Sequence, residues 1–112
     1  QIMGSKILIL GVTFKENCPD IRNSKVADVY NELKEFGLEV DIYDYEADTS
    51  EVKEEYGIHL IDQITEKYDG ILLAVSHDKF SLIDIESVKK DSKSIVFDLK
   101  GFLPRNLVNS RL

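Results

Sequence analysis

The sequence predicts an α/β fold with a parallel sheet, and two observations support this. Short apolar runs recur along the 112 residues, separated by stretches whose apolar residues repeat at helical spacing. The runs are continuous rather than alternating, which is typical of strands covered on both faces. A chain of this length fits a single domain, residues 1–112.

The order of the predicted elements sharpens the fold class. Four strands are predicted, at residues 6–10, 40–43, 71–75 and 94–98. A helix is predicted between an N-cap at Ser24 and a stop at Gly37. Shorter helices are predicted at residues 50–56, 60–68 and 81–90, the last with Leu82 on its apolar face. Strands that alternate with helices give right-handed crossovers, which predicts a Rossmann-like three-layer αβα sandwich with a parallel sheet.

Composition limits the class of partner. The 14 basic and 21 acidic side chains give a net charge of −7, which disfavours nucleic acid and anionic membrane surfaces. Cys18 is the single cysteine, so no internal disulfide forms, and no apolar run reaches membrane-spanning length. Nothing resembles a signal peptide, so we expect a cytoplasmic protein. The start at Gln1 suggests a piece of a longer polypeptide.

Ligands of such a sheet bind beyond the carboxyl ends of its strands, which draws attention to the loop at residues 11–24. Only Gly11 is present where a dinucleotide-binding domain carries Gly-x-Gly-x-x-Gly. The long loop instead offers Lys15 and Arg22, a point charge and a forked guanidinium suited to a diphosphate. The alternative is a solvated surface loop in which these cations pair with Glu16 and Asp20.

This loop carries a family resemblance. The resemblance depends on the positions Phe14, Lys15, Asn17, Asp20, Arg22 and Ser24. Their spacing resembles the signature that opens the C-terminal, UDP-binding domain of the UDP-glucose/GDP-mannose dehydrogenase family. The whole string 11–25 resembles the branch that oxidises UDP-N-acetylhexosamines to uronic acids for surface and capsular polysaccharides. The order of elements and the closing Asp98-Leu99-Lys100 extend the resemblance over nearly the whole chain.

The resemblance implies a nucleotide-sugar-binding C-terminal domain of a larger NAD-dependent 6-dehydrogenase. In that family two successive hydride transfers to NAD convert the C6 alcohol of the sugar into a carboxylate. Phe14 and Lys15 would contact the nucleotide-sugar, with Lys15 near its phosphates. Lys100 matches a substrate-contacting position that is often arginine. Arg22 would reach towards NAD, which the N-terminal domain of the same polypeptide mainly holds.

The resemblance also implies that the catalytic residues lie outside this chain. The family's cysteine nucleophile belongs to the preceding part of the enzyme, and Cys18 falls in the variable part of the loop, so we interpret it as a bystander thiol. We therefore expect the isolated chain to be inactive. Its expected partners are a UDP-sugar and the N-terminal and central domains of the same polypeptide, in a parent enzyme that is a homo-oligomer.

Two other functions remain open from the residues. A free-standing Rossmann-like NAD- or nucleotide-binding module would depend on Asp44, which we interpret instead as a strand-end turn residue. A receiver-like signalling domain would need acidic residues directly after the first strand, where Val12-Thr13-Phe14-Lys15 stands. Neither His59 nor His77 is assigned a role, no third group near His77 suggests a nucleophilic triad, and no spacing predicts a metal site.

Overall fold

A computed structural model describes residues 4–100 and the backbone of residues 110–111. Within these residues a five-stranded sheet has the order β2-β1-β3-β4-β5, and every neighbouring pair is parallel. The strands are β1 Lys6–Leu10, β2 Glu39–Tyr43, β3 Gly70–Leu73, β4 Ile95–Asp98 and β5 Ser110–Arg111. The predicted Rossmann-like parallel sheet is confirmed, and the first four strands begin or end within two residues of their predicted bounds.

Helices connect the strands on both sides of this sheet. They are α1 Lys25–Glu35, α2 Thr49–Tyr56, a 3₁₀ helix Asp78–Leu82, and α3 Ile85–Val88. The α2 helix begins at Asp48, whose carboxylate accepts hydrogen bonds from the amides of Ser50 and Glu51. It ends at Gly57, whose φ of 71° is the left-handed conformation that favours glycine at a helix end.

Two predicted helices are wrong, and both errors come from tertiary packing. Residues 60–68 form no helix, because the two ends of the segment pack on different faces of the sheet: Leu60 belongs to one core and Tyr68 to the other. Its amides bond elsewhere, Ile61 to the Ile42 carbonyl at 3.0 Å and Tyr68 to the Val88 carbonyl at 2.8 Å. The predicted helix 81–90 is reduced to α3, preceded by the 3₁₀ helix. Leu82 is 76% exposed and lies on no apolar face, whereas Phe80 is fully buried in its place.

The alternating side chains of the strands build two cores, one on each face. Ile9 of β1 and Leu72 of β3 are adjacent in register and pack on the α1 side. Leu8 and Leu10 of β1 face the other way, against the segment that contains Phe80. Both faces of β1 are therefore buried, which explains why its sequence is a continuous apolar run. No helix in the described part of the chain is long and apolar enough to cross a membrane.

Gly11 brings two loops together at the carboxyl edge of the sheet. Its φ is +101°, and a Cβ atom there would lie 2.6 Å from the Cβ of Val75 and 2.9 Å from its amide nitrogen. A side chain at position 11 would force apart the loop after β1 and the segment after β3. The glycine therefore serves close packing between these two loops rather than access for a pyrophosphate.

Candidate functional site

The carboxyl ends of four parallel strands place their loops at one edge of the sheet. The loop at residues 11–24 follows β1, Asp44 follows β2, His77 follows β3, and Lys100 follows β4. Direct hydrogen bonds join the first three: the Val12 amide donates to Asp44 at 2.7 Å, and Thr13 Oγ1 lies 3.1 Å from His77 Nε2. Sequence reasoning correctly indicated this edge as the place where candidate residues meet.

A cavity of about 240 Å³ lies between the loop after β1 and the start of α1. Its lining residues are Thr13, Phe14, Asn23, Ser24, Lys25, Val26, Ala74, Val75 and Lys100. It therefore brings together Phe14 and Lys100, two of the three substrate-binding residues expected from the sequence. A second, largely apolar cavity of about 320 Å³ shares the four lining residues Lys25, Val26, Ala74 and Lys100 with the first.

The start of α1 gives the first cavity an unused hydrogen-bonding group. Ser24 occupies the N-cap position, but its hydroxyl caps no helix amide. The residue is only 7% exposed, and its Oγ has no hydrogen-bond partner among the described residues. Its amide is anchored by donating to the Tyr56 hydroxyl at 3.1 Å. A free hydroxyl beside a helix N-terminus, where amide dipoles point outwards, is an arrangement that suits an anion.

Two lysines add positive charge to this cavity in a chain of net charge −7. Lys100 was expected there, whereas sequence reasoning missed Lys25, because a lysine in the first turn of a helix usually points to solvent. The helix start, Lys25 and Lys100 therefore present positive charge and hydrogen-bond donors to one concavity, which Ser24 also lines although its hydroxyl oxygen is buried. Such a site is complementary to a phosphate-bearing ligand.

Lys15 and Arg22 lie outside the cavity lining. The Lys15 side chain is exposed, and among the described residues no ion pair joins it to Glu16. The Arg22 side chain, 83% exposed, makes a bidentate pair with Asp20 at 3.0 and 2.8 Å. Hydrogen bonds from Arg22 lower the pKa of Asp20 to about 2. The surface-pairing alternative therefore describes Arg22 but not Lys15.

His77, which was assigned no role from the sequence, is a fully buried member of a polar network. Its Nδ1 accepts a hydrogen bond from the Asn17 amide at 2.8 Å. Its Nε2 lies 3.1 Å from both Asp44 Oδ2 and Thr13 Oγ1. The Thr13 hydroxyl in turn donates to the Lys15 carbonyl at 2.9 Å. The sequence left the role of His77 open, and in the structure the ring connects the loops after β1, β2 and β3.

Asp44 closes the turn after β2, as expected, and is also part of this network. Its Oδ1 accepts from the amides of Glu46 and Ala47, and its Oδ2 from Val12 and His77. Burial raises the pKa of Asp44, but the hydrogen bond from His77 and those from the three amides outweigh it, so the pKa is lowered. The side chain is 0% exposed. Its two oxygens already accept four hydrogen bonds, so the carboxylate has no free acceptor for a ribose hydroxyl.

Thr13, His77 and Asp44 resemble a nucleophilic triad in composition but not in geometry. The hydroxyl and the carboxylate both contact Nε2, while Nδ1 is engaged by a backbone amide. A working triad needs the base to contact its nucleophile and its carboxylate through different nitrogens. Thr13 is also buried. In the described part of the chain, no group of three His, Cys, Asp or Glu side chains is arranged to hold a metal ion.

The fold and the site define the class of protein as an α/β ligand-binding domain of Rossmann-like architecture, with a cationic cavity beyond its strand ends. The sequence model of the UDP-glucose/GDP-mannose dehydrogenase family, UDP binding domain, matches residues 8–105. The chain therefore belongs to that family.

Curated relatives are similar along the chain. A UDP-N-acetyl-D-glucosamine 6-dehydrogenase of Salmonella typhi is 44% identical over 116 residues, covering 100% of this chain and 27% of the relative. Protein CapL of Staphylococcus aureus is 43% identical over 112 residues, covering 97% of this chain and 26% of the relative. The chain thus spans about a quarter of the length of the relatives it matches.

Solved structures share the fold. A UDP-glucose dehydrogenase from the hyperthermophilic archaeon Pyrobaculum islandicum superposes with a TM-score of 0.73 at 20% identity, over 97% of this chain and 25% of that chain. The UDP-N-acetyl-mannosamine dehydrogenase Cap5O from Staphylococcus aureus gives 0.72 at 21% identity, over 96% and 26%. At these identities the likeness establishes the architecture.

Proposed function

We propose that this chain is the nucleotide-sugar-binding domain of a larger NAD-dependent dehydrogenase. The enzyme would oxidise the C6 alcohol of a UDP-N-acetylhexosamine to a uronic acid in two hydride transfers. One observation carries the proposal: in a chain of this family, a cavity at the carboxyl edge of the sheet combines Phe14, two lysines and a free buried hydroxyl at a helix start. These are the groups that a base or sugar and a diphosphate require.

The residues divide the ligand between them. Phe14 is 61% exposed at the cavity and offers its ring to the nucleoside or the sugar. Lys25, Lys100 and the Ser24 hydroxyl would hold the diphosphate against the start of α1. Lys15 would approach the phosphates from the exposed loop, which requires its side chain to swing towards the cavity. The two cavities share four lining residues and measure about 240 and 320 Å³, near the lower end of the range of small-ligand sites, about 300–1,000 Å³.

NAD would be held mainly by another part of the polypeptide. When bound, it accepts the hydride from the sugar. In this chain Gly11 is occupied in packing against Val75, and Asp44 is filled by four donors, so neither offers a dinucleotide site. Arg22, on the exposed part of the loop, would face that cofactor across the domain boundary. The family resemblance places the catalytic residues and the main NAD site outside this chain, so we expect no NADH production by the chain alone.

Affinity measurements on single variants test the proposal. UDP-N-acetylglucosamine binding is measured by NMR titration for the chain and for Phe14→Ala and Lys100→Ala, with Lys93→Ala as the control. Lys93 is an exposed lysine that precedes β4, at the opposite edge of the sheet. We expect about tenfold weaker binding for each site variant, because each loses a stacking or charge-assisted contact. Equal dissociation constants for all four proteins would overturn the proposed site.

Ser24→Ala separates binding from folding in the same experiment. Its hydroxyl is buried without a partner among the described residues, so its removal leaves no donor or acceptor stranded in the unliganded chain. We expect unchanged or slightly higher resistance to urea together with weaker nucleotide binding. Lower stability with unchanged affinity would show that the hydroxyl has a structural partner and no ligand.

A further inference from the structure

The part of the loop that carries Phe14 and Lys15 has little apolar packing of its own. Val12 and Thr13 are buried, but Phe14, Lys15, Glu16 and Asn17 are all exposed. Asn17 also has a φ of 58°, in the left-handed region that non-glycine residues rarely adopt. A hydrophobic core therefore does not hold this conformation, and its polar contacts must.

The Phe14 amide donates to the Asp20 carbonyl at 2.6 Å, and the other polar contacts converge on the ring of His77. Because the Asn17 amide points at Nδ1 from 2.8 Å, that nitrogen must carry a lone pair rather than a proton. The proton of the neutral ring is then on Nε2, shared between Asp44 Oδ2 and Thr13 Oγ1, each at 3.1 Å. The Thr13 hydroxyl is free to accept because its own proton goes to the Lys15 carbonyl. One tautomer satisfies every member of the network.

His77 is itself rigidly held. It is fully buried, and its ring packs against Phe80 with centroids 5.3 Å apart. The next residue adds a second link to the loop, because the Asp78 amide donates to Asn17 Oδ1 at 2.8 Å. Asp44 is also fixed, because its Oδ1 accepts hydrogen bonds from the amides of Glu46 and Ala47. The loop after β1 is thus fastened to two rigid loops, with the imidazole between them.

We propose that His77 is the positioning residue of the nucleotide-sugar-binding loop: its Nε2–H tautomer ties the loop after β1 to Asp44 and sets the direction in which Phe14 and Lys15 project. This inference rests on the proposed function for its ligand, and on the hydrogen-bond geometry for the loop itself. A loop that is fixed before the ligand arrives loses less conformational entropy on binding, so loss of the tie lowers affinity without removing a ligand contact.

The first test needs no ligand. In the ¹⁵N spectrum of the chain, we expect a pyridine-like Nδ1 and a pyrrole-like Nε2 for His77. The opposite tautomer or a doubly protonated ring at neutral pH would overturn the proposal. Amide exchange is then compared for His77→Phe, His77→Asn and His77→Gln. His59→Phe, at the exposed histidine in the segment after α2, is the matched control.

The three substitutions distinguish positioning from core filling. Phenylalanine fills the space but makes no hydrogen bond, whereas the asparagine carbonyl stands near the Nδ1 position and accepts from the Asn17 amide. Glutamine restores only the donor towards Asp44. We expect exchange at the Asn17 amide to rise about tenfold in His77→Phe and His77→Gln, and much less in His77→Asn. A residue that only fills the core would give the reverse order, with phenylalanine the best replacement.

Affinity for UDP-N-acetylglucosamine is measured on the same proteins. We expect the affinity to decrease from wild type to His77→Asn and further to His77→Phe. The affinity of His59→Phe should equal that of wild type. Unchanged affinity in His77→Phe with a loosened loop would overturn the positioning role. If the wild-type chain binds no nucleotide-sugar at all, the proposed function fails, while the tautomer and the exchange order still decide whether His77 fixes the loop. If His77→Phe does not fold, the comparison of His77→Asn with His77→Gln decides it.

Discussion

The loop after β1 has two halves that are held in different ways. Residues 12–17 are held by hydrogen bonds to the buried ring of His77 and to the carboxylate of Asp44. Residues 20–23 are held by the buried side chain of Ile21, whose carbonyl accepts from the Tyr56 hydroxyl at 2.5 Å, and by the surface ion pair between Asp20 and Arg22. Both halves contain an asparagine in the left-handed region, Asn17 and Asn23, each with φ 58°. The backbone strain is similar, but the support beneath it is not.

Under the proposed function, the two halves would have different roles. The first half carries Phe14 and Lys15 on a rigid backbone, which suits ligand binding because little backbone entropy is lost. In the second half, Arg22 is largely solvated, so it gives up Asp20 for another anion at low cost. An arginine that is to face a cofactor held elsewhere needs this freedom. Substitutions in and beneath the two halves test the contrast, from the largest expected effect to the smallest.

The largest effect is expected from Gly11→Ala, at the base of the rigid half. The new Cβ would lie 2.6 Å from the Cβ of Val75 and would push the loop away from β3. We expect a loss of roughly 2–4 kcal/mol in the free energy of unfolding, measured with urea. Gly57→Ala is the control, because Gly57 also has positive φ but a Cβ added there would meet nothing within 4 Å. It should cost about 1 kcal/mol, and equal losses would contradict the packing role of Gly11.

An intermediate effect is expected from Asp44→Asn. The side-chain amide of asparagine has one accepting oxygen, so one or more buried donors lose their partner. We expect the free energy of unfolding to fall by about 2 kcal/mol at pH 7. The folded-state pKa of Asp44 is lowered, so the contribution of the carboxylate to stability is complete above the ordinary aspartate pKa of 3.8. It is lost as the pH falls through the still lower folded pKa. The stability gap between wild type and variant should therefore narrow in acid.

Asp48→Asn is the matched control for Asp44→Asn. Asp48 also accepts two backbone amides, but it is an exposed helix cap, where asparagine is as good as aspartate. Urea unfolding at pH 7 and in acid should show little change for this variant. If both variants lose the same stability, burial of Asp44 in the network is not what makes it important.

The smallest effect on stability is expected from Arg22→Gln, in the exposed half. Removal of the guanidinium should raise the pKa of Asp20 from about 2 towards its ordinary value of 3.8. A carboxyl-detected NMR pH titration measures this pKa. The thermal midpoint at neutral pH should stay the same, because the pair is solvated. A clear drop in the midpoint, or loss of amide protection at Asn17, would mean that the Arg22 guanidinium also supports the first half of the loop.

Local signals in the sequence account for most of the fold. The strands are continuous apolar runs, α1 is bracketed by Ser24 and Gly37, and Gly57 ends α2. The helix predicted at residues 60–68 is wrong, because the apolar residues of this segment repeat at helical spacing without forming a helix. In the structure Leu60 packs with one core and Tyr68 with the other, which no helix of this length achieves. The two-residue strand β5 has a polar sequence and gives no signal.

The sequence indicated the exposed residues of the candidate site but not the buried ones. Phe14 and Lys100 were expected from a resemblance in sequence and meet at one cavity. His77 was missed because its role depends on loops that follow three different strands, and nothing within a few residues of it reports those contacts. Asn17 carried the one available signal: it belongs to the loop motif, yet its amide and its side chain are directed to His77 and Asp78.

The central claim is that the cavity beside Phe14 and Lys100 takes a uridine nucleotide-sugar rather than a dinucleotide. The most direct measurement is an amide-resolved NMR titration of the chain with UDP, UDP-N-acetylglucosamine, GDP and NAD in turn. We expect saturable shifts at Phe14, Lys15, Lys25 and Lys100 with the uridine ligands and little change with the others. Shifts with NAD alone, centred on Gly11 and Asp44, would contradict the claim and favour a cofactor-binding domain.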